Sequence, residues 1–281
     1  MTDTKHRFSE QGVSESIGFI LIFSIMIAGI GLVTLYGYPM LMQQQSGANE
    51  QVMEKNMIVL QNDVKSLVYK TVPYAESSLN VGGGALTVYN ASTTPAISSI
   101  DITSGSNHYG TPFMSGDLRY SSNSAGTEIS LQDGAVVTRP LFQSGSTNGS
   151  VMLAQPRWFF DNTTNTMVIN LISVNSTSIM SLAGIGTVGT ALGVPNYTYA
   201  SIPAGSSLII AYIPDPGHDY SVAWDNYFMS ILNNYPDITI TQKTGTPGTG
   251  SKLTYTLTGP PVNPRPLTLV VKKYDVVVKS L

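Results

Sequence analysis

Cysteine is absent from the sequence. That removes disulfides, thiolate metal sites and cysteine nucleophiles together, so stability must come from core packing. Charge is scarce too. Charged residues are 11% of the chain, and 14 Lys and Arg against 17 Asp and Glu leave a net charge of −3. This balance argues against nucleic acid as a partner, because a phosphate chain needs a basic face. The three histidines, His6, His108 and His218, stand far apart in sequence. HExxH, GxSxG, a Gly-rich phosphate loop with Lys and an EF-hand loop are all missing. The expectation is a protein that is not an enzyme, with no catalytic residue, no metal and no cofactor.

Two weak remnants of site chemistry stand against that expectation. Asp215, His218, Asp219 and Asp225 cluster around a PDPGHD sequence, where a calcium site or an acid–base pair is conceivable. The plainer reading is a Pro-Gly turn leading into a capped helix. Asp161-Asn162-Thr163-Thr164-Asn165 offers oxygen ligands but lacks the Gly and distal Glu of a calcium loop, and reads as a hairpin turn.

What the chain does have is one long apolar stretch. From Ile17 to Met42 there is no charged residue. This exceeds the ~20 residues that a helix needs to cross a bilayer. A secretory signal peptide has a shorter apolar region and ends in a small-residue cleavage site, which is not found here. Lys5 and Arg7 precede the stretch, and the next basic residue is Lys55. The positive-inside rule therefore leaves the N-terminus in the cytoplasm and the C-terminal mass outside. Gly18, Gly29, Gly31 and Gly37 interrupt the apolar run and let helix backbones approach, without forming a GxxxG pair. Pro39 is expected to kink or interrupt the helix near the outer interface.

Gly12-Val13-Ser14-Glu15-Ser16-Ile17-Gly18 resembles the processing region of archaeal type IV pilins. In that family a short charged leader precedes a small residue, an acidic segment and then the apolar helix. The segment up to about residue 80 also resembles an uncharacterised archaeal pilin-like surface family. The resemblance implies a class III signal peptide cut by a prepilin peptidase beside Gln11, Gly12 or Val13. It also implies a membrane-inserted precursor whose helix later packs with its own subunits or other pilins. Ile17, Gly18 and Pro39 would belong to that membrane and assembly element. Glu15 would meet a neighbour's new N-terminal amine, by analogy with bacterial pilins. On the residues alone, Ser14 and Glu15 read as a helix cap and an acid at the positive dipole end. Glu10-Gln11 stands where archaeal prepilins carry Lys or Arg, which points to an alternative: a permanently anchored, single-pass surface binding protein. Tyr109, Phe113 and Tyr197 would then be natural loop contacts for a carbohydrate or protein.

After the apolar run the pattern stays helical. Met53, Met57, Leu60, Val64 and Leu67 recur at steps of four and three, forming one stripe that is expected to pack on the following domain. Pro73 ends the helix. Gly82-Gly83-Gly84 then punctuates the chain, and short alternating strands follow between Ser, Asn, Gly and Pro clusters. Strands are expected over 85–90, 97–103, 117–121, 207–213, 238–242, 252–258 and 267–279. A hairpin turning at Asp133-Gly134 joins 128–132 to 135–138 and sets Leu131 opposite Val136. Another hairpin joins 151–160 to 167–174. Lys272-Lys273 is read as a bulge or an edge. Asp219 is expected to cap a helix whose apolar face includes Tyr220, Ala223, Trp224, Tyr227, Phe228, Ile231 and Leu232, with Pro236 after its end.

The fold class is therefore α+β: a long N-terminal transmembrane or pilin-type helix, then a mainly antiparallel β-sandwich-like domain with one packed helix. The organisation is a leader over 1–12, the helix and its polar extension over 13–79, and an extracellular β-rich domain over 80–281. Five Asn-X-Ser/Thr sequons, at Asn90, Asn148, Asn162, Asn175 and Asn196, all follow the apolar stretch, as expected of a cell-surface glycoprotein. The function expected is structural or adhesive, in the membrane or in an extracellular type IV pilus-like filament.

Overall fold

The computed structural model describes residues 7–70, 72–91, 98–110, 112–122, 126–141, 149–233, 235, 238–259 and 265–281, with side chains from residue 16 onward. The chain forms two compact units, Met1–Ala48 and Asn49–Leu281. The first holds α1 (Arg7–Leu32), a π-helical turn (Val33–Gly37) and the start of α2 (Tyr38–Lys70). The interruption expected at Pro39 takes the form of this π-turn, after which the helix continues. Pro39 has no N–H to offer Leu35, and its ring would crowd that carbonyl. The wider turn absorbs the mismatch, and the Tyr38 N–H bonds the Val33 carbonyl instead. Ser14 is not a cap, because α1 already begins at Arg7.

In the second unit, among the described residues, sixteen strands and one further helix follow α2. They are β1 (Tyr74–Tyr89), β2 (Ser99–Ser104), β3 (Asn107–His108), β4 (Phe113–Met114), β5 (Asp117–Ser122), β6 (Thr127–Gln132), β7 (Ala135–Pro140) and β8 (Val151–Ala154). Next come β9 (Phe159–Asp161), β10 (Thr166–Ser176), β11 (Ser181–Leu192), β12 (Asn196–Ile202), β13 (Ser207–Ile213), α3 (Ser221–Asn233), β14 (Thr239–Thr244), β15 (Leu253–Thr258) and β16 (Leu267–Ser280). A large sheet has the order β8-β7-β6-β5-β1-β11-β16-β10-β9, with β12 also on β16. A smaller sheet has the order β14-β15-β13-β2-β3, with β4 on β2. Pairing is antiparallel throughout except between β10 and β16, which run parallel. This is the expected α+β sandwich.

The large sheet is covered on both faces. Met53, Met57, Leu60, Val64 and Leu67 of α2 are buried against Leu86, Tyr120, Ile129, Leu131, Val136 and Val276. On the opposite face, Ala135, Val137, Ile169, Leu171 and Val271 meet the small sheet and the aromatic face of α3. Trp224 and Phe228 of α3 are fully buried there, stacked among Tyr212, Trp158 and Tyr255. The layers are therefore α2, large sheet, and small sheet with α3. Pro236 lies outside the described residues.

Several strand expectations need correction. The glycines at 82–84 lie inside β1, not before it. They mark the point where the pairing of β1 with β11 shifts register, between Val81 and Leu86, and where β5 joins β1. Gly83 takes a φ of 69°, and a Cβ on Gly84 would lie 2.3 Å from the Ser121 carbonyl, so the backbones can close only around glycine. The strand expected over 151–160 is broken into β8 and β9, because Pro156 cannot donate to a ladder. Lys272-Lys273 is neither edge nor bulge: β16 is central and pairs with β10 without a shift. The two lysines instead mark where the other neighbour changes from β12 to β11. Strands β11 and β12 have no counterpart among the expected strands. The Asp133-Gly134 turn is as expected, with φ of 46° and 70° and Leu131 opposite Val136.

Beyond its short pairing with β9, one edge of β10 has no strand partner among the described residues, and two side chains and one loop carbonyl take over. The Ile172 N–H donates to Asp133 Oδ1 at 2.7 Å, and the Val174 N–H to the Ser115 carbonyl at 2.7 Å. The Ser176 N–H donates to Asn90 Oδ1. Full burial pushes the Asp133 carboxyl well above the usual carboxylate range, against the opposing bond from Ile172. The unfolded chain releases this proton first, so stability falls as pH rises above the ordinary carboxylate value. Asp133→Asn keeps the acceptor and tolerates positive φ, so it is expected to hold or raise stability and to abolish that pH slope. Asp133→Ala loses the acceptor and strains the turn, at a cost of about 2–4 kcal/mol. Urea unfolding followed by the fluorescence of the buried Trp158 and Trp224 checks both.

Candidate functional site

The apolar stretch is fully open in the first unit. Ile17, Phe19, Ile20, Ile22, Phe23 and Ile25 are each more than half exposed, and the pattern continues to Met42. Exposure surrounds the helix, with no polar stripe. Its serine and threonine hydroxyls are turned inward: Ser24 Oγ donates to the Ile20 carbonyl at 2.7 Å and Thr34 Oγ1 to the Ile30 carbonyl at 2.8 Å. The surface presented outward is therefore apolar in all directions, which suits a hydrocarbon environment. Ile17 to Leu35 span ~28 Å at helical rise, close to the ~30 Å of a bilayer core. Tyr36 and Tyr38 follow at the position of an interfacial aromatic belt. Among the described residues this is the one helix long and apolar enough to cross a membrane. Gly18 and Pro39 both lie on it, and a Cβ on Gly18, Gly29 or Gly31 would touch nothing. Gln11, Gly12 and Val13 fall within α1, and their side chains and that of Glu15 lie outside those described.

The sequons differ sharply in what their amides do. Asn162, on the hairpin turn, and Asn196, at the start of β12, are exposed. Asn90 is not free: its Nδ2 donates to the Ser176 carbonyl at 3.0 Å. Asn175 donates to Asp275 and accepts from the Ala91 N–H at 3.0 Å. These two amides close the β10 edge. Asn148 lies outside the described residues.

The PDPGHD residues are brought near one another but do not converge on one point. Asp215 Oδ1 accepts the Gly217 N–H at 2.9 Å and closes the turn. Asp219 accepts the Ser221 N–H at 2.8 Å at the start of α3, as expected of its cap. Asp225 pairs with Lys243 at 2.6 Å. Among the described residues no group of three or more His, Asp and Glu side chains is placed to hold a metal ion. The 161–165 segment is the expected turn, with Asp161 accepting from Thr163 and Thr164.

His218 instead joins a buried ionic network that the residue pattern conceals. Glu128 is fully buried and accepts from Arg139 Nε at 2.9 Å and from the Tyr220 hydroxyl, while His218 Nδ1 lies 2.8 Å from its Oε2. Asp117 Oδ2 accepts from Arg119 Nε and Ser130 Oγ, both at 2.8 Å. Arg119 also reaches Asp215 at 3.4 Å and lies over the Tyr89 ring. These groups tie the large sheet to the loop leading into α3. In β5 and β6 they alternate with apolar residues, a pattern that reads as a solvent-facing side. The 215–220 loop covers that side, so the polar positions are interior.

Burial pushes the Glu128 carboxyl up, but the hydrogen bonds with His218, Tyr220 and Arg139 and the charge of Arg119 outweigh it and hold it at about 2. A lowered carboxylate stabilises the fold above its unfolded value and loses that contribution as pH falls from about 4.5 to about 2. The loss is expected to be on the order of 3 kcal/mol. Glu128→Gln, which leaves Arg139 without its anion, is expected to cost about 3–5 kcal/mol at neutral pH and to flatten this acid limb. Thermal melts across that pH range measure both.

The two aromatic contacts proposed beside Tyr197 are not available as such. Phe113 is buried in the core, and Tyr109 is half-buried and packed on it, whereas Tyr197 is 47% exposed on β12. The architecture is thus a single membrane-type N-terminal helix followed by a larger β-rich unit, a plan common to pilins and signal-anchored proteins in general. No curated relative and no solved structure matches the chain. One family model does, over residues 11–199, a span that runs from within α1 into β12 and covers more than half of the chain. The chain therefore belongs to the family of unknown function DUF7289.

Proposed function

We propose that this chain is an archaeal pilin-like surface protein. It enters the membrane as a precursor, is cut beside Gly12, and assembles through its N-terminal helix into a type IV pilus-like filament. Its role is structural or adhesive, not catalytic, and the β-rich unit faces outside. The observation that carries the reading is the helix from Ile17 to Met42, which is apolar and exposed on every side. Burying each such Ile, Leu or Phe is worth roughly 1.5–3 kcal/mol, so water is the least favourable surrounding for this segment. Lipid covers it first, and neighbouring copies of the same helix cover it later. The open glycines at 18, 29 and 31 leave room for close backbone approach. Glu15 would neutralise the new N-terminal amine of an adjacent subunit. Among the described sequons, Asn162 and Asn196 are the ones fitted to carry a sugar, since Asn90 and Asn175 are occupied in the sheet edge.

Glu10-Gln11 before the supposed cut supports a second reading, a permanently anchored binding protein with an intact leader. N-terminal sequencing and intact mass of native protein from membrane and sheared surface fractions separate the two. A start at Gly12 or Val13 in the sheared fraction is expected. An intact N-terminus found only in membrane would leave the anchored protein as the account. Deleting residues 17–42 is expected to give a soluble monomer by sedimentation. Filaments from that variant would remove the helix as the assembly element.

A further inference from the structure

An open cleft lies where the C-terminal end of α2 meets the 155–158 segment between β8 and β9. Asn62, Lys65, Ser66, Lys70, Gln155 and Arg157 line it, with Tyr69 and Trp158. Three of these side chains are cations, and none is a carboxylate. Lys70 sits in the last turn of α2, where it complements the helix dipole. Lys65 and Arg157 have no such explanation. They repel one another, and burial together with Arg157 pushes the Lys65 ammonium down from its usual value.

The wall that carries Arg157 is fixed. Gln61 Nε2 donates to the Gln155 carbonyl at 3.0 Å, the Tyr227 hydroxyl to the Pro156 carbonyl at 3.4 Å, and Asn170 Nδ2 to the Arg157 carbonyl. Trp158 Nε1 returns a bond to the Asn170 carbonyl at 2.9 Å. The guanidinium lies over the Tyr69 ring, 5.0 Å from its centroid. From there an aromatic line runs across the same face of the sheet. Tyr69 meets Tyr274 edge-on at 6.1 Å, Tyr274 meets Tyr197 at 6.1 Å, and Lys272 lies over Tyr197 at 5.9 Å. Tyr199, two residues along β12, is 70% exposed beyond it.

We propose that this cleft and the tyrosine shelf beside it bind an acidic polysaccharide, with Lys65 and Arg157 holding its carboxylates. Arg157 presents a planar fork that matches a carboxylate, and its backbone is already immobilised. Asn62, Ser66 and Gln155 supply neutral hydrogen-bonding groups of the kind that pair with sugar hydroxyls. Tyr199, which no cation covers, offers an amphipathic ring to a sugar face. A nucleic acid fits less well: it needs cations along its whole path and open ring faces, whereas cations already cover Tyr69 and Tyr197. The proposal rests on the preceding reading only for the outward placement of the β-rich unit.

The test uses the full chain in nanodiscs of zwitterionic lipid, titrated with fluorescently labelled polygalacturonate. Binding is expected, weakening as salt rises, with neutral dextran not bound. Lys65→Gln with Arg157→Gln is expected to reduce affinity at least about tenfold. Lys70→Gln should lower it less, and Lys252→Gln, away from the cleft, should leave it unchanged. Arg157→Lys, which keeps the charge and loses the fork, should fall between. Unchanged near-ultraviolet circular dichroism shows that a variant is folded. Absence of polygalacturonate binding, equal binding of dextran, an unaffected double variant, or tighter binding of a single-stranded oligonucleotide would each overturn the proposal. These readouts do not depend on leader cleavage or filaments, so they fail independently of the pilin-like reading.

Discussion

The stripe Met53, Met57, Leu60, Val64 and Leu67 packs one face of the large sheet, and most of the second unit depends on that contact. A strand that is apolar on both faces is stable only where both faces are covered. Ile169 and Leu171 of β10 point to the inter-sheet core, while Ile172 and Val174 point to the α2 side. Without α2 the second set would face water. The part of α2 that carries this stripe is thus built into the core of the second unit.

Covering the other face raises a different problem. A sandwich interior made partly of Asp117, Arg119, Glu128 and Arg139 must satisfy every charge it removes from water. The chain does most of this by pairing, with Tyr220 and His218 on Glu128 and Asp215 on Arg119, while Asp117 Oδ1 is left without a hydrogen bond. Such a network stabilises little in total, but it fits only one docking of the 215–220 loop on the sheet. The edge of β10 is managed similarly. Asp133, Ser115 and Asn90 occupy its backbone donors, leaving no free ladder along that stretch for a second chain to join.

The two units follow opposite rules. In residues 49–281 apolar side chains are gathered inward and even carboxylates are enclosed. In residues 16–42 they are all outside. An apolar surface open on every side is least favourable in water and suits a hydrocarbon environment. The tyrosine shelf and the cleft with Lys65 and Arg157 give the second unit a face whose local charge opposes the chain's net negative charge.

The sequence by itself determined the elements whose signals are local. The length of the apolar run, the four-three stripe of α2, the Asp133-Gly134 turn, the cap at Asp219 and strand β13 over 207–213 each follow from nearest-neighbour geometry. Gly-rich β11 was not legible, because Gly184, Gly186 and Gly189 carry no side-chain pattern, and its pairing with β1 and β16 is what makes it a strand. The tertiary structure alone decided which polar face was hidden. Glu128, Ser130 and Gln132 alternate with Ile129 and Leu131 as a half-exposed strand would, until a loop some ninety residues later closes over them. It likewise decided that Asn90 and Asn175 close a strand edge, and that Lys65 and Arg157 share a cleft. Periodicity records which residues share a face, but what covers that face depends on distant parts of the chain.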